Sequence, residues 1–329
     1  MAQTYEHLSS DRLTNFYEKM FLIRKVEEKL GEFYFSAKIP GFLHLSIGQE
    51  AIAVGVSENL KKSDLAGSTH RAHGHMLAKG CDLNRFMAEL FGKITGYSKG
   101  KGGSLHLFNL ADGFVGSCSI VGGGIPLATG CALALKMQKK DDIVVCYLGE
   151  GSTAEGAFHE SVNLAAVWQL PILYVCENNL YCEMTPHNDL SPLTDVADMT
   201  ANYKIPGKIV DGNDVLAVYH TCNELIEKIR DGQGPALLEA KTYRWRGHFE
   251  GEEFLLGSRR YRSDEEVEEW KKRDPIKLYK NILLEKASFS EDQINSIEEG
   301  VLKSIENALK FTNESPFPGT EEVFTDILD

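Results

Sequence analysis

Two oxygen-bearing side chains near the middle of the chain carry its clearest chemical signal. Glu150 stands in Gly149-Glu150-Gly151, where the apolar run 143–148 stops, and Asn179 follows a second apolar run, 172–176, in Asn178-Asn179. A carboxylate at the end of one strand and a carboxamide at the end of the next offer only oxygen donors, few in number and singly charged. That set suits Mg²⁺, which takes a carboxylate or two and completes its octahedron with waters and phosphate oxygens. Ser152 and Thr153 stand where they would cap a following helix over 154–168, whose N-terminal N–H groups and dipole favour a phosphate at the same point. The plainer alternative is a glycine turn and an asparagine turn that hold nothing.

Other reactive side chains lie on both sides of this stretch. His44 sits in the loop Pro40-Gly41-Phe42-Leu43-His44-Leu45-Ser46, where it reads equally well as a functional loop residue or as a capping or core histidine. The run Ser68-Thr69-His70-Arg71-Ala72-His73-Gly74-His75 places three histidines beside an arginine. Alternate histidines without carboxylates fit zinc poorly, whereas the Arg71 fork suits phosphate oxygens, so a phosphate-and-substrate pocket is preferred over a metal site. The glycines of 96–107 (GYSKGKGGSLHL) permit close backbone approach to a ligand or only tight turns. Val121-Gly122-Gly123-Gly124-Ile125-Pro126 leads into an alanine-rich helix. It is not the dinucleotide fingerprint, no strand cleanly precedes it, and close helix packing is its preferred reading.

The elements that must position these groups follow from periodicity. Leu13, Phe16, Met20, Ile23, Val26 and Leu30 share one face of a helix over 10–33, which Ser9 or Ser10 can cap. Strands at 143–148, 172–176, 208–210 and 236–242 alternate with helices, which predicts an α/β fold with a parallel sheet and helices on both faces. The crossover from the first of these strands to the second sets them side by side, and the carboxyl ends of such strands line the ligand crevice. Glu150 and His248 therefore share a rim, because the last strand runs into Tyr243-Arg244-Trp245-Arg246-Gly247-His248. Ser290 and Gln293 make a capping box for a helix carrying Ile294, Ile297, Val301, Ile305 and Leu309. The expected organisation is an α/β domain over 1–264 and a C-terminal helical extension over 265–329.

Composition narrows the class. With 43% hydrophobic and 25% charged residues in 329, the chain reads as an ordinary globular protein. A net charge of −13 argues against nucleic acid as a partner. No apolar run reaches the roughly 18 residues that span a bilayer, so no membrane is expected. The N-terminus has neither the basic region nor the apolar core of a signal peptide, and the seven cysteines form no CxxC pair, so they read as reduced residues of a cytoplasmic protein.

Gly149-Glu150-Gly151, then 26 residues, then Asn178-Asn179 resembles the GDG…NN motif of thiamine-diphosphate enzymes. EGAFHESVNLAAVWQLP, ENNLY, GFLHLSIGQEA, STHRAHGH, GKGGSLHLF, SIVGGGIPLATG, YRWRGHFEG and WKKRDPI are similar to the α subunit of the E1 component of 2-oxoacid dehydrogenase complexes, within it the acetoin and pyruvate dehydrogenase α subunits. The resemblance covers about residues 15 to 280. It implies the thiamine-diphosphate-binding fold, thiamine diphosphate and Mg²⁺ as cofactors, and an E1 β subunit in an α₂β₂ assembly. It also implies a lipoyl-bearing E2 acyltransferase as acceptor, and acetoin, or else pyruvate or another 2-oxoacid, as substrate.

The resemblance also implies roles. Glu150, the Asn179 side chain and the Tyr181 main-chain oxygen would hold Mg²⁺. Gly151 and Ser152 would meet the diphosphate with backbone N–H groups, and Arg71 and His248 would bind it, with His70 where many pyruvate enzymes have tyrosine. Ser119 and Val121 would hold the aminopyrimidine. His44, His73 and His248 are the catalytic candidates for proton transfer or for steadying an oxyanion. In this family the carboxylate that tautomerises the aminopyrimidine comes from the β subunit.

Four departures stand out. Glu150 replaces the usual aspartate, Ser119 replaces a glycine, and the run 252–260 is longer than usual. Phe249 stands where mammalian pyruvate enzymes carry a phosphorylated serine, so kinase control there is not expected. Two other readings are a carboligase without a lipoyl partner and a cofactor-poor, structural or regulatory α-like subunit.

Overall fold

The computed structural model describes residues 5–257 and 260–326; Ser258 and Arg259 of the long 252–260 run lie outside them. Six strands form one parallel sheet: β1 Leu65–Thr69, β2 Phe114–Cys118, β3 Val144–Gly149, β4 Ile172–Asn178, β7 Gly207–Asp211 and β8 Ala236–Lys241. A two-stranded ribbon, β5 Tyr181–Cys182 with β6 Thr185–Pro186, follows β4. The helices that bear on the argument are α1 Ser10–Phe35, α2 Glu50–Ser57, α3 His73–Ala78, α4 Leu83–Leu90, α5 Gly124–Met137 and α6 Gly156–Trp168. After a short α7 (His187–Leu190) come α8 Val215–Arg230, α9 Glu252–Leu256, α10 Asp264–Lys271, α11 Pro275–Glu285 and α12 Glu291–Glu314.

Alternation along the central strands builds two cores. Val145 and Tyr147 of β3, with Leu173 and Val175 of β4, point to the face covered by α1, α2, α3, α4 and α8. Val144, Cys146 and Leu148, with Ile172, Tyr174 and Cys176, point to the opposite face, covered by α5 and α6. A strand buried on both sides has no polar face, which is why these segments read as unbroken apolar runs. The α1 residues picked out by helical spacing are all buried, and Ser9 caps the helix by accepting from Arg12 N–H. The Ser290–Gln293 capping box is present, and α11 and α12 bury Ile276, Tyr279, Leu283, Ile294, Val301 and Ile305 in the same core as α1.

Three expectations need correction. Strands β1 and β2 are additional to the four anticipated, and β2 does precede the glycine-rich run. Each has only five residues with glycine and serine among them, and the bulge at Ala66/Gly67 breaks their register, so neither reads as a strand alone. Ser152 and Thr153 do not cap α6. Their hydroxyls turn back to the Gly149 and Glu150 carbonyls at 2.6 and 2.7 Å and close a 3₁₀ turn over Glu150–Ala154, leaving Glu155 as an N-cap without a side-chain bond.

The sheet order is β2-β1-β3-β4-β8-β7. The chain leaves β1 toward β2 and leaves β3 toward β4, in opposite directions, so a crevice opens at their carboxyl ends. Among the described residues no helix is long and apolar enough to cross a membrane. All seven cysteines are free thiols.

Candidate active site

The strand ends line a cleft that opens to solvent. β1 delivers Ser68, His70 and Arg71; the turn after β2 delivers Ile120, Val121 and Gly122. β3 delivers Glu150, Gly151 and Ser152; β4 and the ribbon beyond it deliver Glu177, Asn179, Tyr181 and Cys182; the segment after β8 delivers Arg244 and His248. The β3–β4 register sets Gly149 opposite Glu177, so Glu150 and Asn179 emerge side by side beyond the last rung.

Glu150 is 2% exposed, and burial raises its carboxyl above the usual range. One of its oxygens accepts from Asn179 N–H at 3.2 Å. The Asn179 Oδ1 is buried and has no partner among the described residues. A buried, unpartnered carbonyl oxygen beside a carboxylate that burial disfavours in its charged form is the donor set an oxygen-seeking dication would complete, because the cation compensates both. Gly151 is required by packing: a Cβ there would lie 2.3 Å from the Cys182 sulfur. Tyr181 gives its hydroxyl to Glu266, which anchors the backbone that presents its carbonyl.

Two guanidinium groups face these oxygens. Arg71 is buried and donates to the Leu45 and His248 carbonyls at 2.6 and 2.9 Å. Arg244, a residue the sequence reading passed over, donates to the Glu183 carbonyl at 2.7 Å and to His248 Nδ1 at 3.0 Å, while its buried Nε has no partner among the described residues. Its only sequence signal was its place between a strand end and His248. Burial and the neighbouring Arg244 lower Arg71 to about 9, and an arriving anion would relieve both.

His44, His70 and His248 pack edge to face with ring centroids 4.6 to 5.3 Å apart. Their nitrogens come within 4.8 Å of one another, a spacing that admits a metal. The hydrogen bonding does not: Arg244 can only donate, so His248 Nδ1 is an acceptor and the neutral ring carries its proton on Nε2. Burial first, then Arg71 and Arg244, lower His70 to about 3 and His248 to about 2, and burial, then Arg71, also lowers His44. The cluster is a wall of neutral imidazoles that present N–H and lone-pair groups.

Not every anticipated residue reaches the cleft. His44 lies just behind it, with a buried Nδ1 that has no partner among the described residues. His73 is fully buried and held between Glu27 (3.2 Å) and Ser104 (2.9 Å). Ser119 is outside the lining, its hydroxyl 3.5 Å from His106 Nε2, whereas Val121 is on the rim and half exposed. The glycine-rich loop holds no ligand-facing cradle; the N–H groups of Ser98, Gly100, Gly102 and Gly103 converge on the buried Glu89 carboxylate at 2.7 to 3.1 Å. Glu252 opens the long run, and its carboxylate accepts from His248 N–H at 2.5 Å.

Comparison with known proteins gives this geometry a context. The family described as Dehydrogenase E1 component matches residues 18–321. The α subunit of acetoin:2,6-dichlorophenolindophenol oxidoreductase from Bacillus subtilis (strain 168) is 46% identical over 320 residues, spanning 97% of this chain and 94% of that protein. The like-named subunit from Cupriavidus necator is 39% identical over 321 residues, spanning 97% and 95%. The pyruvate dehydrogenase E1 component subunit alpha of Rhizobium meliloti is 41% identical over 313 residues, spanning 95% and 88%.

Proposed function

The chain belongs to the dehydrogenase E1 component family as an α subunit, and from that membership we propose that its cleft binds thiamine diphosphate with Mg²⁺ and acts on acetoin. The observation that carries this reading is the unpartnered Asn179 Oδ1 beside the buried Glu150 carboxyl, facing Arg71 and Arg244 across one cleft. Glu150, at the start of the 3₁₀ turn, Asn179 and the Tyr181 carbonyl would hold the metal. Backbone N–H groups at Gly151 and Ser152, with Arg71, Arg244 and His248, would take the diphosphate. The backbone around Ser119 and Val121 would receive the aminopyrimidine. When bound, the cofactor supplies a thiazolium carbon that adds to a carbonyl and a ring that holds the electron pair released.

The residues of this chain bind, orient and move protons. The neutral His70 and His248 rings would steady a developing oxyanion or pass a proton at a substrate oxygen, charged only while they hold it, and His44 packs behind them. His73, hydrogen-bonded to Glu27 and Ser104, would act as a positioning residue. Acetoin is preferred over pyruvate because an uncharged ketone needs no cation at its reacting end, and the three imidazoles supply none. A β subunit completes the site; Ile120 at the cleft and Leu127 in the first turn of α5 are exposed apolar side chains of the kind a partner chain covers. A lipoyl-bearing acyltransferase is the proposed acceptor.

Calorimetry of the α+β pair with thiamine diphosphate and Mg²⁺, followed by turnover of acetoin and pyruvate with 2,6-dichlorophenolindophenol as oxidant, tests the reading. Saturable binding and faster acetoin turnover are expected. Absence of binding refutes the cofactor assignment, and faster pyruvate turnover refutes the substrate.

A further inference from the structure

Ser68, His75 and Glu177 form a hydrogen-bonded line along one wall of the cleft, and the functional reading above uses none of them. They come from three elements: the end of β1, the first turn of α3 and the end of β4. Their exposures are 2%, 3% and 5%, so solvent does not decide their contacts. Ser68 Oγ lies 2.7 Å from His75 Nδ1, and His75 Nε2 lies 3.0 Å from Glu177 Oε1. An ionised carboxylate only accepts, so Nε2 bears a proton, and the neutral ring then accepts the serine hydroxyl at Nδ1. The Tyr147 ring stacks on the imidazole at 3.7 Å and 15°, which removes its rotational freedom.

The consequence falls on Glu177. One carboxylate oxygen is held by His75; the other has no hydrogen-bond partner among the described residues, and the side chain lines the cleft. Arg71 and Arg244 serve anionic oxygens in the same cleft, and a fixed carboxylate repels them. We propose that Glu177 is a ligand-contacting acceptor that takes an O–H or N–H donor of the bound organic molecule, and that His75, backed by Ser68, positions it. The proposal rests on reading the cleft as the cofactor and substrate site. The donor is either the amino group of the cofactor or the hydroxyl of the substrate, and these separate by experiment.

The test uses the α+β pair with Glu177→Gln, His75→Phe, His75→Gln and the double variant Glu177→Gln/His75→Phe. Thiamine diphosphate affinity with Mg²⁺ is measured by calorimetry, and KM and kcat for acetoin by dye reduction. Loss of a hydrogen bond to a charged acceptor predicts a roughly ten- to hundredfold weakening in Glu177→Gln. It appears in the cofactor Kd if the donor is the cofactor, and in the acetoin KM with Kd unchanged if it is the substrate. His75→Phe should weaken the same parameter, His75→Gln should recover most of it through its amide N–H, and the double variant should add little. Glu177→Gln is nearly isosteric, so it reports even if His75→Phe does not fold. Wild-type Kd and KM in Glu177→Gln overturn the proposal. So does a His75→Phe defect that is additive with Glu177→Gln and not rescued by glutamine, since that marks His75 as core alone. A wild-type pair that binds no thiamine diphosphate instead sinks the parent reading.

Discussion

Replacing Arg244 by glutamine separates a phosphate-binding cleft from a merely polar one. The guanidinium is almost wholly buried, its two terminal nitrogens each donate once, to His248 Nδ1 and the Glu183 carbonyl, and its Nε has no partner among the described residues. Of its five N–H donors two are used, so Nε–H and one hydrogen on each terminal nitrogen remain for an anion. A charge-assisted bond contributes about 1.5–3 kcal/mol, or roughly ten- to hundredfold in affinity at about 1.4 kcal/mol per decade. Glutamine can keep one of the two internal bonds but neither the charge nor the Nε donor. Arg244→Gln should thus weaken thiamine diphosphate binding roughly ten- to hundredfold at fixed Mg²⁺, and Arg244→Lys, which restores the charge without the fork, should fall between. Titration calorimetry on the α+β pair reads this directly, with thermal unfolding to show that the variant is folded. A folded Arg244→Gln pair whose affinity stays within about threefold of wild type refutes the assignment, because a buried donor worth over 1 kcal/mol cannot vanish silently.

Other consequences are as direct. Asn179→Ala should leave the unfolding midpoint of the free protein nearly unchanged, since Oδ1 has no partner to lose, yet weaken Mg²⁺-dependent cofactor binding at least tenfold; a lower midpoint with unchanged binding contradicts the metal role. Glu89→Gln leaves an amide facing backbone donors, so about two of four contacts are lost; denaturant unfolding should show a cost of about 2–4 kcal/mol, and a cost below about 1 kcal/mol would contradict it. His70, near 3, and His248, near 2, are held neutral, whereas the unfolded chain protonates both near 6.5. Below pH 6.5 the unfolded state binds more protons, so stability should fall as pH drops from 6.5 toward 3. Replacing both by phenylalanine should flatten the melting temperature profile between pH 6.5 and 4, and an unchanged slope refutes the cause.

Particular residues show where reading the sequence stopped. The β3 and β4 runs were legible because burial on both faces leaves no polar residue to interrupt them. β1 and β2 were not, because Leu65-Ala66-Gly67-Ser68-Thr69 and Phe114-Val115-Gly116-Ser117-Cys118 carry turn residues, and neighbouring strands hold them in place. Local spacing suggested that Ser152 and Thr153 cap a helix, but their hydroxyls found nearer carbonyls. The glycines of 96–107 suggested a ligand cradle; the ligand is the chain's own Glu89, whose part in that turn no local pattern announces.

The sequence by itself determined the pair Glu150 and Asn179. A strand, a turn, a helix and a strand of fixed lengths leave two parallel strand ends side by side, and period-2 burial settles which residues emerge there. The tertiary structure decided how the groups that face that pair are arranged. Arg71, Arg244 and the His44–His70–His248 wall arrive from β1, the 40–46 loop and the segment after β8, and Ser68, His75 and Glu177 align from three elements. Such contacts are set by sheet order and by the partners that buried charges and imidazoles must find, and neither is written in the spacing of residues along the chain.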